Sequence, residues 1–562
     1  MSARRGAVMA AILVGAAAAR AGAQDVVQAI SHPLQVGGQM VTTGQLYAAS
    51  GIAARWPGAS YSIELTPQLT LLNDVSAGLD ILVSSQGNQV RQSLNQFGLN
   101  PSWRWITLHL GDFSDDYSEN TLQGTRVRGF GLDLKPGWFR FSFQGGQSQR
   151  AVLAGADGGG ATFAQHLYAG MIGIGHEESS FLSLTVVKAK DDPNSLTPAV
   201  TDTILLDTIP TALRPQAQTR PEENLVVGLS GQLSLFQNRL VVKGEGDGAV
   251  LTSDLSSPLA NPGAVKLGRL IGDFMPLRLS TSGDFAYKVD GSWSFGTAAL
   301  RAGYQYVGAG YTSLGLAYVI NDREAYTVGG NVGLLQNRLV LTGQLQHQND
   351  NLLHQKVATT NQDAALLSAA VRPTQTVSLT LSAMSTVVAN DAASDTFAVN
   401  DRTVGVNSSV ALQQRFFGLP AVYSLSYGVQ RTSDVNVVTP VPRIEVQNAS
   451  AAIQVTLGKA ITVAPSVSLS ATQTQGAATQ ENVFVGFRGQ GRFLGGRLGA
   501  SFDASQTFAN SRAVLGITSQ VTYALPWASQ VTFQTRYSHY DALGATPAFR
   551  ESFATLTVSR SL

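Results

Sequence analysis

The run Leu339-Val340-Leu341-Thr342-Gly343-Gln344-Leu345-Gln346-His347-Gln348 moves between apolar and polar in two-residue steps. Side chains on a strand alternate between faces, so Leu339, Leu341 and Leu345 share one side while Thr342, Gln344, Gln346 and Gln348 share the other. Such a strand needs an apolar medium on one face and water on the other. The pattern recurs along the chain. Phe139, Phe141 and Phe143 oppose Trp138, Arg140, Ser142 and Gln144; Leu240, Val242, Gly244 and Gly246 oppose Val241, Lys243, Glu245 and Asp247. Phe285, Tyr287 and Val289 oppose Asp284, Lys288 and Asp290, and Ala298, Leu300, Ala302, Tyr304 and Tyr306 oppose Arg301 and Gln305. Near the end, Val531, Phe533 and Tyr537 oppose Thr532, Gln534, Arg536 and Ser538. Trp103 to Leu110 and Thr125 to Lys135 alternate poorly, and their faces are left unassigned.

The 562 residues exceed one ordinary soluble core, for which about 100 to 200 residues is the usual size. Charged residues make up 13%, about half the share in soluble domains, which implies much surface that never meets water. Mean hydropathy is nevertheless only +0.06, as expected when apolar and polar residues alternate within strands instead of forming the long blocks of membrane helices. In a membrane only helices and closed barrels satisfy every backbone polar group. The fold class read from this pattern is all-β: a single large antiparallel transmembrane β-barrel. Strand candidates recur about every 20 to 25 residues, which gives about 24 strands within a range of about 20 to 26.

The N-terminus carries Arg4-Arg5, an apolar stretch from Gly6 to Ala19 and the small-residue site Ala21-Gly22-Ala23, the pattern of a cleaved signal peptide over 1–23. The twin arginines lack the remainder of a folded-protein export motif, so general secretion is expected. Residues 24–38 read as a short periplasmic leader and 39–562 as the barrel, with long loops near 190–223 and 250–279. Five prolines between Lys190 and Glu223 cannot serve a hydrogen-bond ladder. The chain has no Cys, which excludes disulfides and thiolate metal sites. Removing 1–23 takes three Arg and no acids from 38 basic and 37 acidic residues, leaving a net of −2 and no general attraction to nucleic acid. Leu235-Phe236-Gln237-Asn238-Arg239-Leu240-Val241 is echoed by Leu334-Leu335-Gln336-Asn337-Arg338-Leu339-Val340, where Asn suits the positive φ of a tight hairpin.

Catalytic signatures are not found. His176-Glu177-Glu178 lacks the second histidine of a zinc-protease helix, and Gly228-Leu229-Ser230-Gly231-Gln232 lacks the closing glycine of a nucleophile elbow. No enzyme activity and no cofactor are therefore expected. The acids Asp112, Asp115, Asp116 and Glu119 form a cluster without EF-hand spacing. A solvated turn is the first reading; the alternative is a calcium or lipopolysaccharide-bridging cation site. The polar strand faces predict a hydrated, mixed-charge lumen lined by Arg140, Lys243, Glu245, Asp247, Asp284, Lys288, Asp290, Arg301 and Arg536. Tyr304, Tyr306, Tyr311, Tyr523, Tyr537, Tyr540 and Trp527 read as interfacial girdles.

In this alternation and its export signal the mature chain resembles the large outer-membrane β-barrels of Gram-negative bacteria. The last strand, Ala554 to Leu562, ends in Leu where such proteins usually end in Phe. Gly111-Asp112-Phe113 followed by Gly124, Arg126, Arg128 and Gly129 is similar to a stretch near the start of fimbrial usher barrels. The resemblance implies a cell-outer-membrane location, contact with outer-membrane lipid and lipopolysaccharide, and insertion by the barrel-assembly machinery. It also implies a porin-like pore for solutes or a polymer. The alternatives are a plugged barrel acting as a surface-binding anchor, an usher-like protein-translocation pore with a periplasmic partner, or an outer-membrane hydrolase. An inward-folded segment is expected, with Lys190 to Glu223 the first candidate.

Overall fold

A computed structural model describes residues 34–562 apart from 73, 86–94, 154–160, 177, 197–218, 261–270, 395, 435–441, 510–511 and 545. The signal peptide and most of the leader lie outside the described residues. The first half of the chain forms β1 (Leu34–Ser50), β2 (Ala59–Leu71), β3 (Val75–Ser84), β4 (Gln96–Trp103), β5 (Ile106–Phe113), β6 (Val127–Leu134), β7 (Phe139–Gln149), β8 (Gln165–Gly175), β9 (Phe181–Asp191), β10 (Glu223–Leu235), β11 (Leu240–Thr252), β12 (Thr281–Phe295) and β13 (Ala298–Val307). The second half forms β14 (Arg323–Leu334), β15 (Leu339–Asn349), β16 (Thr360–Val371), β17 (Val377–Asn390), β18 (Asn400–Phe416), β19 (Leu419–Asp434), β20 (Ile444–Leu457), β21 (Ile461–Thr474), β22 (Gln480–Phe493), β23 (Leu498–Ala509), β24 (Ala513–Leu525), β25 (Ser529–Tyr540) and β26 (Phe549–Ser561).

Each strand pairs antiparallel with the next, and β1 pairs with β26 from Gln39↔Ser561 to Ser50↔Arg550, so the 26-stranded sheet closes on itself. Closure leaves no edge, and the backbone is satisfied within the wall. β1 starts at Leu34, within the stretch read as leader. The count of 26 stands at the upper end of the expected range. The extra strands come from the eight-residue β4, β5 and β6, where the hairpin turn between β4 and β5 is only Arg104-Trp105.

Register assigns the faces. Val289, Tyr304, Tyr326 and His347 share one row, and Val227, Leu229, Phe285, Leu300, Val328 and Leu345 belong to the same exposed apolar side. This is the outer wall, and its apolar exposure is what a bilayer covers. The opposite face carries Thr342, Gln344, Gln346 and Gln348 of the opening run. One end of the barrel has turns of two to five residues, many of them tipped by exposed aromatic side chains: Trp105, Trp138, Phe236, Phe417 and Trp527. The other end carries all the longer connections, up to the 31 residues between β9 and β10. There Phe285, Tyr287, Tyr306, Tyr304 and Tyr326 form a continuous outer-wall cluster with ring centroids 4.8–5.6 Å apart. Two aromatic belts therefore flank an apolar band.

The two turns of the sequence echo, 236–239 and 335–338, have the same backbone. φ is 52°, 58° and 64° at Phe236, Gln237 and Asn238, and 52°, 57° and 63° at Leu335, Gln336 and Asn337. The repeat is a repeated hairpin.

The buried apolar core lies inside the barrel. Phe113, Val127, Leu167, Ala169, Val187, Ala189, Val226, Ala249, Ala286 and Val307 point inward from β5 through β13 and meet Leu122 and Tyr311. Leu122 belongs to the β5–β6 loop (114–126) and Tyr311 to the β13–β14 loop (308–322), which both fold into the lumen. Where β5 and β6 meet these loops the inner face is apolar as well, because Phe113 and Val127 face the plug instead of water, while Thr107, His109 and Asp133 keep it polar further along.

Candidate functional site: a luminal plug on a polar wall

The two inward loops hold each other through main-chain groups. Gln123 and Leu316 form a parallel bridge, Gln123 N–H donates to the Gly315 carbonyl at 3.2 Å, and Thr125 Oγ1 donates to the same oxygen at 2.8 Å. Tyr311 Oη donates to the Asn120 carbonyl (2.7 Å) and Ser313 Oγ to the Thr121 carbonyl (2.6 Å). Two glycines make room, one in the β13–β14 loop and one on the wall. A Cβ on Gly315 would come within 2.6 Å of the Thr121 carbonyl, and one on Gly228 of β10 within 2.5 Å of Thr121 Cγ2. Burial pushes the Tyr117 and Tyr311 phenols well above their ordinary range, so both remain neutral.

The wall supplies the anchors. Glu245 accepts the Asn120 N–H (2.8 Å) and Asp247 accepts from Asn120 Nδ2 (3.1 Å). Lys288 bonds Glu119 at 2.8 Å and pairs with Asp290 at 3.2 Å. Asp284 accepts the Gly310 N–H at 2.7 Å. Asn224 of β10 donates to the Thr312 carbonyl and accepts from Leu314 N–H at 2.9 and 3.0 Å. By register all nine side chains named from the sequence as lumen-lining stand on the inner face. Five of them, Glu245, Asp247, Asp284, Lys288 and Asp290, are engaged with the loops or with each other. Lys243 and Arg301 make no ion pair among the described residues; they face a cavity of about 580 Å³ that Glu119, Asp290, Asn331 and Gln344 also line. Arg536 lies 5.0 Å over the Phe553 ring near the closing seam, and Arg140 sits on β7 toward the short-turn end.

The acidic cluster does not converge. Asp112 pairs with Arg128 on the outer wall at 2.9 Å, Asp116 caps the Gly124 N–H at 2.8 Å, and Glu119 reaches Lys288. Asp115 alone approaches other metal-type ligands. Its Oδ2 is 3.6 Å from His109 Nε2, which is 3.2 Å from Asp133 Oδ2. Burial pushes the Asp115 carboxyl up, against the pull of His109.

Tyr311 belongs to the plug core and not to a girdle, and Tyr540 stacks inward on Phe549 at 4.3 Å. Of the segment Lys190 to Glu223, residues 197–218 lie outside the described residues. Its described flank packs on the β7–β8 loop, where Leu196 is buried with Ala161 and Phe163. The described inward segments are the other two loops. Sequence reading passed over Asn120, Thr121, Leu122, Ser313 and Asn224; the available signal was a fully buried type, Leu122, inside an otherwise polar loop.

Beyond the loop-covered strands β5–β13, the inner wall is polar. Thr462, Gln490, Ser501 and Gln520, with the cations Lys459 and Arg492, line a second open cavity of about 470 Å³.

No family model and no curated protein sequence matches the chain. Solved structures are similar in fold at low identity. The P pilus usher (PapC) translocation pore aligns over 94% of this chain and 100% of its own, with 8% identity and a TM-score of 0.36. The siderophore receptor PirA from Pseudomonas aeruginosa aligns over 93% and 80%, with 10% identity and a TM-score of 0.42. OccK11 (OpdR) from Pseudomonas aeruginosa aligns over 61% and 91%, with 10% identity and a TM-score of 0.31.

Proposed function

We propose that the chain is an outer-membrane channel that passes hydrophilic solutes or a polymer without chemistry. The supporting observation is the uneven lumen of a closed 26-stranded wall. Loops occupy the side along β5–β13, while hydroxyl, amide and a few cationic side chains face open cavities along the remainder. Barrels of about 16 to 18 strands already leave an aqueous channel, so 26 strands with one side filled leave room for flow. Outer-membrane lipid and lipopolysaccharide would cover the apolar band, the barrel-assembly machinery would insert it, and a periplasmic partner or translocated polymer would meet the short-turn end.

The apolar plug core favours a second reading, a plugged barrel that anchors surface loops. Refolding residues 24–562 into a planar bilayer separates the two. Large steady current steps of low ion selectivity are expected for the channel; silence from protein shown to be inserted would leave the anchor.

A further inference from the structure

We propose that His109, Asp115 and Asp133 form a binding site for a zinc-class divalent metal ion, and that the ion fastens the β5–β6 loop to the barrel wall. His109 and Asp133 project from β5 and β6 on the luminal face, and Asp115 comes from the loop that plugs the lumen.

Three observations carry this. The first is orientation. Asn100 Nδ2 donates to Asp80 at 2.9 Å, which turns its Oδ1 toward His109 Nδ1 at 2.8 Å. The Nδ1 position therefore holds a proton that it donates, and Nε2, which hydrogen-bonds Asp133 when no ion is bound, is the nitrogen that would offer its lone pair to an ion between the two carboxylates. Metal-binding histidines are held by such an outer hydrogen bond on the other ring nitrogen. The second is spacing. Nε2 stands 3.2 and 3.6 Å from the carboxylate oxygens, and the three ligand atoms lie within 4.8 Å of one another. Tetrahedral zinc, with bonds of about 2.0 to 2.2 Å, needs ligand-to-ligand edges of about 3.3 to 3.5 Å. Charge-assisted hydrogen bonds are shorter, about 2.7 to 2.9 Å. The third is an orphaned group. Gln144 lies on the same luminal row, across Gly131 from His109; it is fully buried, its Nε2 donates to the Asp115 carbonyl at 3.3 Å, and its Oε1 has no hydrogen-bond partner. One nitrogen and two carboxylates match zinc-class ions, whereas calcium asks for six to eight oxygens.

Zinc binding to the refolded, metal-stripped mature chain, read by competition with a chromophoric chelator, tests the site without relying on the channel reading. One equivalent is expected. His109→Ala and Asp133→Asn should each weaken binding at least 10-fold, and Asn100→Ala, which only frees the imidazole, about 10-fold. Heat-modifiable gel migration checks that each variant is folded. Absence of a stoichiometric site, or affinity unchanged in folded His109→Ala and Asp133→Asn, overturns the proposal. Chelator addition to bilayers should lengthen high-conductance openings, and Asp115→Asn should remove that response while His109 and Asp133 stay on the wall. A chelator response that persists in Asp115→Asn would overturn the fastening role.

Discussion

Gln237 and Gln336 each sit in the middle of three consecutive left-handed residues, with φ of 58° and 57°. An L side chain in that region crowds its own carbonyl, at a cost of roughly 1–2 kcal/mol per residue, which glycine escapes and asparagine partly offsets. The turns are retained because the strands on either side are fixed by their neighbours. Arg239 N–H donates to Phe236 O, and Ser294 N–H to Arg239 O at 2.7 Å. Replacing Gln237 by Gly should therefore stabilise the barrel, by about 1 kcal/mol after the greater chain entropy of glycine is allowed for. Urea unfolding in lipid vesicles measures it; an unchanged or lower midpoint would mean that the Gln side chain contributes at the membrane edge. The equivalent change at Gln336 should match, since the two turns share one backbone.

At the scale of an element, the β5–β6 loop is a plug held by one fully buried apolar side chain, the flanking Tyr117 and a ring of hydrogen bonds. Leu122 is fully buried among Val187, Val226 and Tyr311, and nothing in its own sequence neighbourhood explains it. Truncating a buried leucine costs about 2–5 kcal/mol. Leu122→Ala should thus shift the docked-to-undocked balance of the loop at least about 30-fold while leaving the wall intact. Single-channel records would show longer or more frequent high-conductance states, and an unchanged record would place the current path away from this loop. The wall strands were legible in the sequence because lipid and water impose a local two-residue rhythm. Docking of Asn120 on Glu245 and Asp247 was not, because those partners are 125 and 127 residues apart and no local pattern encodes the encounter. Where the rhythm fails, at Phe113 and Val127, the failure itself marks the plug's bed.

The whole molecule divides its lumen by charge use. On β11 to β13 the acids and Lys288 are occupied in holding loops, so the mixed charge expected from sequence is largely neutralised within the plug. Of the charges on these strands Lys243 and Arg301 remain, with β12 between them and open to the same cavity. Free charges on a narrow wall bias the ions that pass them, whereas paired charges do not. With these two cations unpaired, and Arg415, Lys459 and Arg492 standing among the hydroxyls and amides of the remaining wall, the channel should favour anions. The double charge reversal Lys243→Glu with Arg301→Glu should move the reversal potential in a KCl gradient toward cation preference, by about twofold or more in permeability ratio. The same reversal at Lys288 would instead break the Glu119 contact and alter gating before selectivity. A reversal potential indifferent to Lys243 and Arg301, in protein that still conducts, would place the current along the opposite wall, where Arg536 becomes the charge to change.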